Sequence, residues 1–394
     1  MSHHVVIVGA GYGGIATANR LAGLLHPNNF QLTLVNAEEL FVERVRLHQV
    51  ATGQGIKPLR IADMISGTEV ELRIGRVAEL DLEAKVVNLD TDSGSTVLEF
   101  DTLVYSLGSG AEPAAPIPGS EYAFLINHRP GAETLRSHLA LVESGSRAVI
   151  VGGGLTGLEL AGELAESRPD LQVHLVSDRE PGHWLSPRGK RYLRKVFEQL
   201  NIEVSSGAAV VAIQPHSVVL DNGEVIDSST TVWTGGFGVH YLATHAGLAV
   251  TSQGRIIVGN NLQSVSHPEV FAVGDAASIT DQKTQCEVPM ACGTAAPMGL
   301  IAARSIAQYL TKSDRRPARL RLEYLAQHLS LGRKRGIVQL SSYGSGSGRV
   351  VATGRYAAWQ KERVIRGGMW FIQRSRLFSR RKRWAQSRRS LNQV

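Results

Sequence analysis

Two cysteines, Cys286 and Cys292, are all that the 394 residues contain. So few leave no disulfide framework to build, and they fit a reducing compartment. No stretch approaches the ~18 uninterrupted apolar residues of a membrane-spanning helix. An apolar run already starts at His4, which leaves no room for a secretory signal and predicts a cytoplasmic protein. Aromatics are only 6% and charged residues 20%, beside 43% hydrophobic content, an ordinary globular composition. Acids are scarce in one place. Residues 361–394 hold eleven Lys or Arg and one acid, Glu362, a net +10 that leaves the other 360 residues at −3 of the total +7. The sequence pI of about 9.5 is therefore a property of the tail.

What is present begins at the N-terminus. His4-Val5-Val6-Ile7-Val8 breaks into Gly9-Ala10-Gly11-Tyr12-Gly13-Gly14 and then an Ala-rich stretch to about Leu25. This is G-x-G-x-x-G between a strand and a helix. The first glycine makes the turn, the second admits a pyrophosphate, and the third lets the helix pack close, with the phosphates at its positive end. The pattern occurs twice: Arg147-Ala148-Val149-Ile150-Val151 leads into Gly152-Gly153-Gly154-Leu155-Thr156-Gly157. Two dinucleotide sites in one chain fit an electron carrier loaded at one and discharged at the other. A length of 394 residues predicts two to three domains.

After the first helix, Gln31 to Val35 reads as a second parallel strand. An acid is expected at its end for a ribose hydroxyl; here stand Asn36 and Ala37, with Glu38 and Glu39 beyond. Asn36 still offers a hydrogen bond. In Glu43 to His48, Arg44 or Arg46 is a counter-charge for pyrophosphate, unless the segment is a solvated helix face. Short strands and hairpins follow from about Thr68 to Phe100, with Val77 as an apolar cofactor contact, and Asp101 to Ser109 is a strand ending in small residues, among them Ser106 and Gly108. Pro113, Pro116, Pro118 and Gly119 mark a hinge. In the second half, Val173 to Val176 ends at Ser177-Asp178-Arg179, twenty residues past Gly157. Ser177 with Arg179 could accept a 2′-phosphate, while Asp178 keeps NADH open, so the coenzyme stays NADH or NADPH. Thr231 to Gly236, with Gly235, repeats the earlier small-residue strand end. Val273-Gly274-Asp275 delivers an acid to a strand edge, where it can hold a polyol hydroxyl. A helix over Ala291 to Tyr309 can lie against a flat ring near Ala295. The expected organisation is 1–118 and 239–318 for the first nucleotide domain, 119–238 for the second, and 319–394 for a C-terminal region.

Gly9 to Gly14, Ser106-Leu107-Gly108, Gly152 to Gly157 with Glu159, and Val273-Gly274-Asp275 together resemble, in order and spacing, the FAD-dependent pyridine nucleotide oxidoreductase superfamily. Gln49-Val50-Ala51-Thr52-Gly53 and Gly152 to Leu164 are most similar to type II NADH:quinone oxidoreductases and apoptosis-inducing-factor-like reductases. The resemblance implies an α/β fold of two Rossmann-like domains, FAD in the first half, NAD(P)H in the second, and hydride transfer between stacked rings. It also implies Glu159 near the nicotinamide or a quinone proton path, as the catalytic candidate, against a bland helix-surface carboxylate. Three departures stand out. Cys292-Gly293-Thr294-Ala295-Ala296-Pro297-Met298 replaces the Gln residues that quinone-reducing members carry there. Asn36 replaces the ribose-binding acid, and the family's apolar C-terminal helices are shortened and basic. A dithiol branch is excluded, because no cysteine pair precedes Cys286; both cysteines read as small buried residues.

In the tail, Val364, Phe371, Phe378 and Ala385 recur every seven residues, as do Trp370, Leu377 and Trp384. On a helix these form an apolar stripe beside Arg374, Arg381 and Arg388. A basic aromatic helix suits an anionic membrane surface; docking on the body and a disordered basic end are the alternatives. Gly367-Gly368 predicts a break in that helix. The reading that follows is an FAD-dependent NAD(P)H dehydrogenase passing electrons to a quinone, peripheral on the cytoplasmic membrane face. The alternatives are a soluble reductase using a ferredoxin, oxygen or a small molecule, and, ranked last, a nucleotide sensor gripping nucleic acid through its tail. No metal is expected, and the assembly is left open, a homodimer among the options.

Overall fold

The computed structural model describes residues 2–110, 117–236, 238–281, 285–313, 316, 318–320, 324–342 and 348–377. The first half opens with β1 (His3–Val8), α1 (Tyr12–Leu24), β2 (Phe30–Asn36), α2 (Leu47–Ala51), β3 (Val70–Ile74) and β4 (Thr102–Tyr105). The second comprises β5 (Ala123–Leu125), α3 (Arg129–Leu139), β6 (Arg147–Val151), α4 (Leu155–Ser167), β7 (Gln172–Ser177), β8 (Glu203–Ser206) and β9 (Thr230–Trp233). The chain then returns as β10 (Val270–Ala272) and α5 (Cys292–Leu310). It closes with β11 (Tyr324–Ser330), β12 (Gly336–Ser342), β13 (Gly348–Thr353) and α6 (Arg355–Arg374).

Val5 to Val8 have no polar member to turn towards water, so β1 belongs inside a parallel sheet covered on both faces. All four are fully buried. The first sheet has the order β10-β4-β1-β2-β3 and the second β5-β9-β6-β7-β8, every pairing parallel. The halves repeat one plan. In each, an antiparallel three-stranded sheet intervenes before the strand that pairs with the fingerprint strand (β4 beside β1, β9 beside β6): Arg76–Asp81, Val86–Thr91 and Gly94–Glu99 in one, Val210–Gln214, Ser217–Leu220 and Val225–Asp227 in the other.

Helix α5 lies against α1 at a crossing that needs two glycines. A Cβ on Gly299 would stand 2.3 Å from the Gly13 carbonyl oxygen, so the backbones meet with nothing between them. Thr17 Oγ1 donates to Gly13 O and Gly299 O across the contact. The C-terminal strands form an antiparallel sheet, β11-β12-β13, against which α6 packs. α6 runs unbroken through Gly367-Gly368, contrary to the expected break. Ala357 and Lys361 are buried before the pair and Met369 and Ile372 after it; docking at both ends offsets the ~1 kcal/mol that each glycine costs a helix. Pro113 and Pro116 of the expected hinge lie outside the described residues, as do Phe378, Trp384, Ala385 and the basic residues from Arg380 to Arg389. Among the described residues, no helix is long and apolar enough to cross a membrane, and none of the His, Cys, Asp and Glu groups could hold a metal.

Candidate active site

Each glycine fingerprint lies at the carboxyl edge of its sheet, where ligands bind in open α/β folds. Gly9 takes φ +97° and Gly152 φ +118°, left-handed conformations that glycine adopts without strain. Cβ atoms on Gly14 and Gly157 would each come 1.9 Å from the carbonyl oxygen of Gly9 and Gly152 respectively. The middle glycines differ: a Cβ on Gly11 or Gly154 meets nothing within 4 Å. That open space faces helix ends with no side-chain cap and no acid in the first turn, so the N–H groups and positive end of the helix are left for an anion. Gly13 is packed between Val273 and the Ala295 carbonyl.

A hydroxyl just after the neighbouring strand locks each turn. Ser106 Oγ donates to Val8 O and Gly9 O at 2.8 and 2.6 Å. Thr234 Oγ1 donates to Val151 O and Gly152 O at 2.8 and 3.3 Å. Thr234 was missed in the sequence, although it holds after β9 the place that Ser106 holds after β4. Gly108 (φ +71°) follows Ser106, and Gly235, whose oxygen accepts from Trp233 Nε1, follows Thr234.

Asn36 closes the first turn from the side. Its Oδ1 accepts from Ala10 N at 2.9 Å and its Nδ2 donates to Glu38 O at 2.7 Å; Ala37 beside it is exposed. In the second half Ser177 is buried against Gly153 and its Oγ accepts from Arg179 N at 3.4 Å. The Arg179 guanidinium is exposed and faces Asp178 at 3.7 Å. Val77 is buried in the core of the first half.

Arg44, Gly108, Gly274, Asp275 and Ala295 come together. Ser109 Oγ donates to Asp275 Oδ2 at 2.8 Å and accepts from Arg44 Nη1 at 2.8 Å, with Arg44 Nη1 3.7 Å from the carboxylate. A Cβ on Gly274 (φ +73°) would stand 3.7 Å from that of Ala295. Cys292 opens α5, and burial, aided by the Asp275 charge, pushes its thiol up to about 12. It is a neutral thiol there, with no thiolate for chemistry. Both cysteines are half-buried, less enclosed than the sequence suggested.

Arg46 and Glu159 depart most from a solvated surface. Arg46 is buried, and its Nη1 and Nη2 each donate to Glu362 of α6 at 2.8 Å. It therefore ties the turn before α2 to α6 and is no counter-charge for a pyrophosphate. Glu159 is only 7% exposed. Its Oε1 accepts from Ser330 N at 3.0 Å and from Lys361 Nζ, and its Oε2 lies 3.6 Å from His48 Nδ1. Lys361 also donates to Ser330 Oγ at 2.9 Å. His48 is enclosed completely; burial, then Lys361, Arg333 and Arg46, hold its pKa well below 6.5, so the imidazole is neutral. One turn along α4, Glu163 accepts from Arg333 Nη2 at 2.7 Å and from Gln54 Nε2 at 3.2 Å.

The sequence pattern of the pyridine nucleotide-disulphide oxidoreductases matches residues 3–299 of this chain. The chain belongs to that family. Members of it bind FAD and a nicotinamide coenzyme, and this chain is an FAD-dependent oxidoreductase that uses NAD(P)H. It is similar to a type II NADH:quinone oxidoreductase of Staphylococcus epidermidis, 27% identical over 335 residues, covering 78% of this chain and 82% of that protein. An NADH dehydrogenase-like protein of Mycobacterium tuberculosis is 27% identical over 350 residues, 83% of this chain and 85% of the relative. Among solved structures, the sulfide:quinone oxidoreductase of Aquifex aeolicus superposes with a TM-score of 0.80 at 20% identity, over 95% of this chain and 92% of its own. The oxidoreductase's two crevices fit their cofactors on geometry: open space at Gly11 and Gly154, uncapped helix ends, and an aspartate beside the first crevice.

Proposed function

We propose that this oxidoreductase passes electrons from NAD(P)H to a quinone at an anionic membrane surface. The observation that carries the reading is the outer face of α6. Trp359, Val364, Trp370, Phe371 and, just beyond the helix, Leu377 are exposed, while Ala357, Lys361, Met369 and Ile372 dock inward. Arg363 lies over the Trp359 ring at 5.4 Å and Arg374 over Trp370 at 5.0 Å. Aromatic rings interleaved with bases are the chemistry of a membrane interface, and a lipid quinone is reached from such a surface. The names of the staphylococcal and Aquifex relatives point to the same acceptor class.

In this reading Gly9, Gly11, Gly13 and Gly14 receive the FAD pyrophosphate, with Ser106 fixing the turn. Asp275, held by Ser109 beside Arg44, binds the hydroxyls of the polyol chain through its remaining oxygen, and Ala295 and Gly274 border the ring. Gly152, Gly154 and Gly157 receive NAD(P)H, with Ser177, Arg179 and Gly235 at the rim. Bound FAD supplies the two-electron exchange with the nicotinamide. The protein's part is orientation, exclusion of water and protons. Quinone reduction consumes two protons. Glu159, a carboxylate paired with Lys361 beside neutral His48, is assigned to relay one of them, taking it from water in the polar cleft lined by Gln49, Ser330, Arg333 and Lys361 and passing it on to the acceptor.

The stretch from Cys292 to Met298, without glutamine, favours a second reading in which a soluble acceptor such as a ferredoxin or oxygen takes the electrons. Anaerobic reduction of the purified flavoprotein by NADH and NADPH, followed by reoxidation with a quinone series, ferricyanide and oxygen, separates the two. The proposal expects quinones to reoxidise the protein at least tenfold faster than oxygen. Equal rates, or a flavin that neither coenzyme bleaches, would sink it.

A further inference from the structure

Beneath the Asp275 turn lies a buried cation that neither fingerprint includes. Arg255 follows the turn Thr251 to Gly254 and is 4% exposed. Its guanidinium is shared among four partners. Nε donates to the Asp275 carbonyl at 3.0 Å, Nη2 to the carbonyls of Ala277 and Val288 at 2.5 and 3.3 Å, and Nη1 to Glu287 Oε1 at 2.5 Å. Ser278 Oγ donates to the same Glu287 oxygen at 2.6 Å.

Those partners belong to two segments. Asp275 and Ala277 lie at the end of the strand that carries the flavin-facing aspartate. Glu287 and Val288 belong to the run leading into α5, whose first turns hold Cys292 and Ala295. A planar guanidinium with five fixed donors sets both the distance and the angle between two such segments. Lysine, with one rotating ammonium, cannot reach all four oxygens. The bonds are also aimed with a purpose. Arg255 takes the main-chain oxygen of Asp275, while Ser109 takes one carboxylate oxygen. The aspartate is thereby held at both ends.

We propose that Arg255 is the positioning residue of the flavin site, fixing Asp275 and the start of α5 at the separation that grips FAD. The inference rests on the first crevice being the FAD crevice and does not depend on which acceptor is used. In this proposal Arg255 acts through Asp275.

The test measures FAD dissociation from the full-length holoenzyme for wild type, Arg255→Lys, Asp275→Asn and the double variant, together with NAD⁺ affinity at the second crevice. Arg255→Lys is expected to weaken FAD at least tenfold and to leave NAD⁺ affinity within twofold. The double variant should be no weaker than the worse single variant, because both substitutions remove one function. Additive losses would overturn the proposal, as would unchanged FAD affinity or an equal loss of NAD⁺ affinity, since each of these marks a role in the fold alone. Should Arg255→Lys not fold, Glu287→Gln at the half-exposed end of the network takes its place. It is expected to weaken FAD threefold or more, again without additivity to Asp275→Asn; no change there counts against the proposal. A quinone-inactive protein that meets these expectations would refute the acceptor assignment and leave this one standing.

Discussion

At the level of single residues, the two crevices separate glycines that serve the fold from glycines that serve the ligand. Gly157 has the Gly152 carbonyl where a Cβ would go, whereas Gly154 has empty space. Gly154→Ala should therefore leave the coenzyme-free protein within about 0.5 kcal/mol of wild type, as for an unobstructed surface change, while weakening NAD(P)H binding tenfold or more. Gly157→Ala should lower both the thermal midpoint and the affinity. Thermal melts with and without coenzyme, plus fluorescence titration, check the pair; equal melting losses in both variants would refute the division. His48 makes a second residue-scale prediction, with a sign that follows from its buried, neutral state. Below about 6.5 the unfolded chain binds a proton that the folded imidazole refuses. Unfolding is then favoured, and stability falls as pH drops through 6.5, at up to about 1.4 kcal/mol per pH unit for one such group. His48→Gln should flatten this slope between pH 6.5 and 5.5 in urea titrations. A stability difference between variant and wild type that does not vary with pH would contradict it.

At the level of elements, the twin strand–turn–helix units were legible because their information is local: an apolar run, glycines at fixed spacing, then helix. The α/β fold follows from them. Interactions between distant segments were not legible. Glu159 meets Ser330 across 171 positions and Lys361 across 202; the resemblance singled Glu159 out as a catalytic candidate, but nothing near it announced these partners. Arg46 looked like a phosphate ligand for the same reason, its partner Glu362 lying 316 residues away. Gly367-Gly368 was misread because intrinsic propensity is a weak prior that docking overrides. The seven-residue recurrence in the tail was legible, but the face it turns to solvent was not. In α6 that face yields a third prediction. Replacing Trp359, Trp370 and Phe371 by Ser should lower partition onto anionic vesicles at least tenfold while leaving NAD(P)H–ferricyanide turnover within twofold. Partition should also fall with salt, since each basic residue near the surface is worth roughly 1 kcal/mol. Flotation with phosphatidylserine vesicles at two ionic strengths reads both effects, and retained binding by the triple variant would remove the membrane role from this helix.

At the level of the whole molecule, α6 is joined to both nucleotide halves at once. Glu362 pairs with Arg46 of the first half, and Lys361 with Glu159 of the second. Asn19 and Arg20 of α1 donate to the carbonyls of Ile372 and Ser375 at its far end. On α4 the acids Glu159, Glu163 and Glu166 meet Lys361, Arg333 and Arg335 in turn, so the helix that opens at the second glycine turn is bound along its length to the C-terminal unit. Of the two pairs on α6, that of Glu362 should respond to acid. Burial alone would raise the Glu362 carboxyl, but hydrogen bonds from Arg46 and Arg366 bring it down to about 2. A carboxylate depressed in the folded state stabilises above its unfolded pKa near 4.5 and loses that contribution as pH falls towards 2. The Lys361–Glu159 pair is more deeply enclosed, with both side chains under 10% exposed. Lys361→Met therefore strands a carboxylate away from water and should cost about 3–5 kcal/mol at neutral pH. Removing the charge as well, in Glu159→Gln with Lys361→Met, should recover at least half of that loss, because the cost lies in the unpaired charge more than in the lost pair. Denaturant titrations of the four proteins at pH 7 decide it: a double variant as unstable as Lys361→Met would mean that packing of the lysine stem, and no ionic bond, holds α6 to the second half.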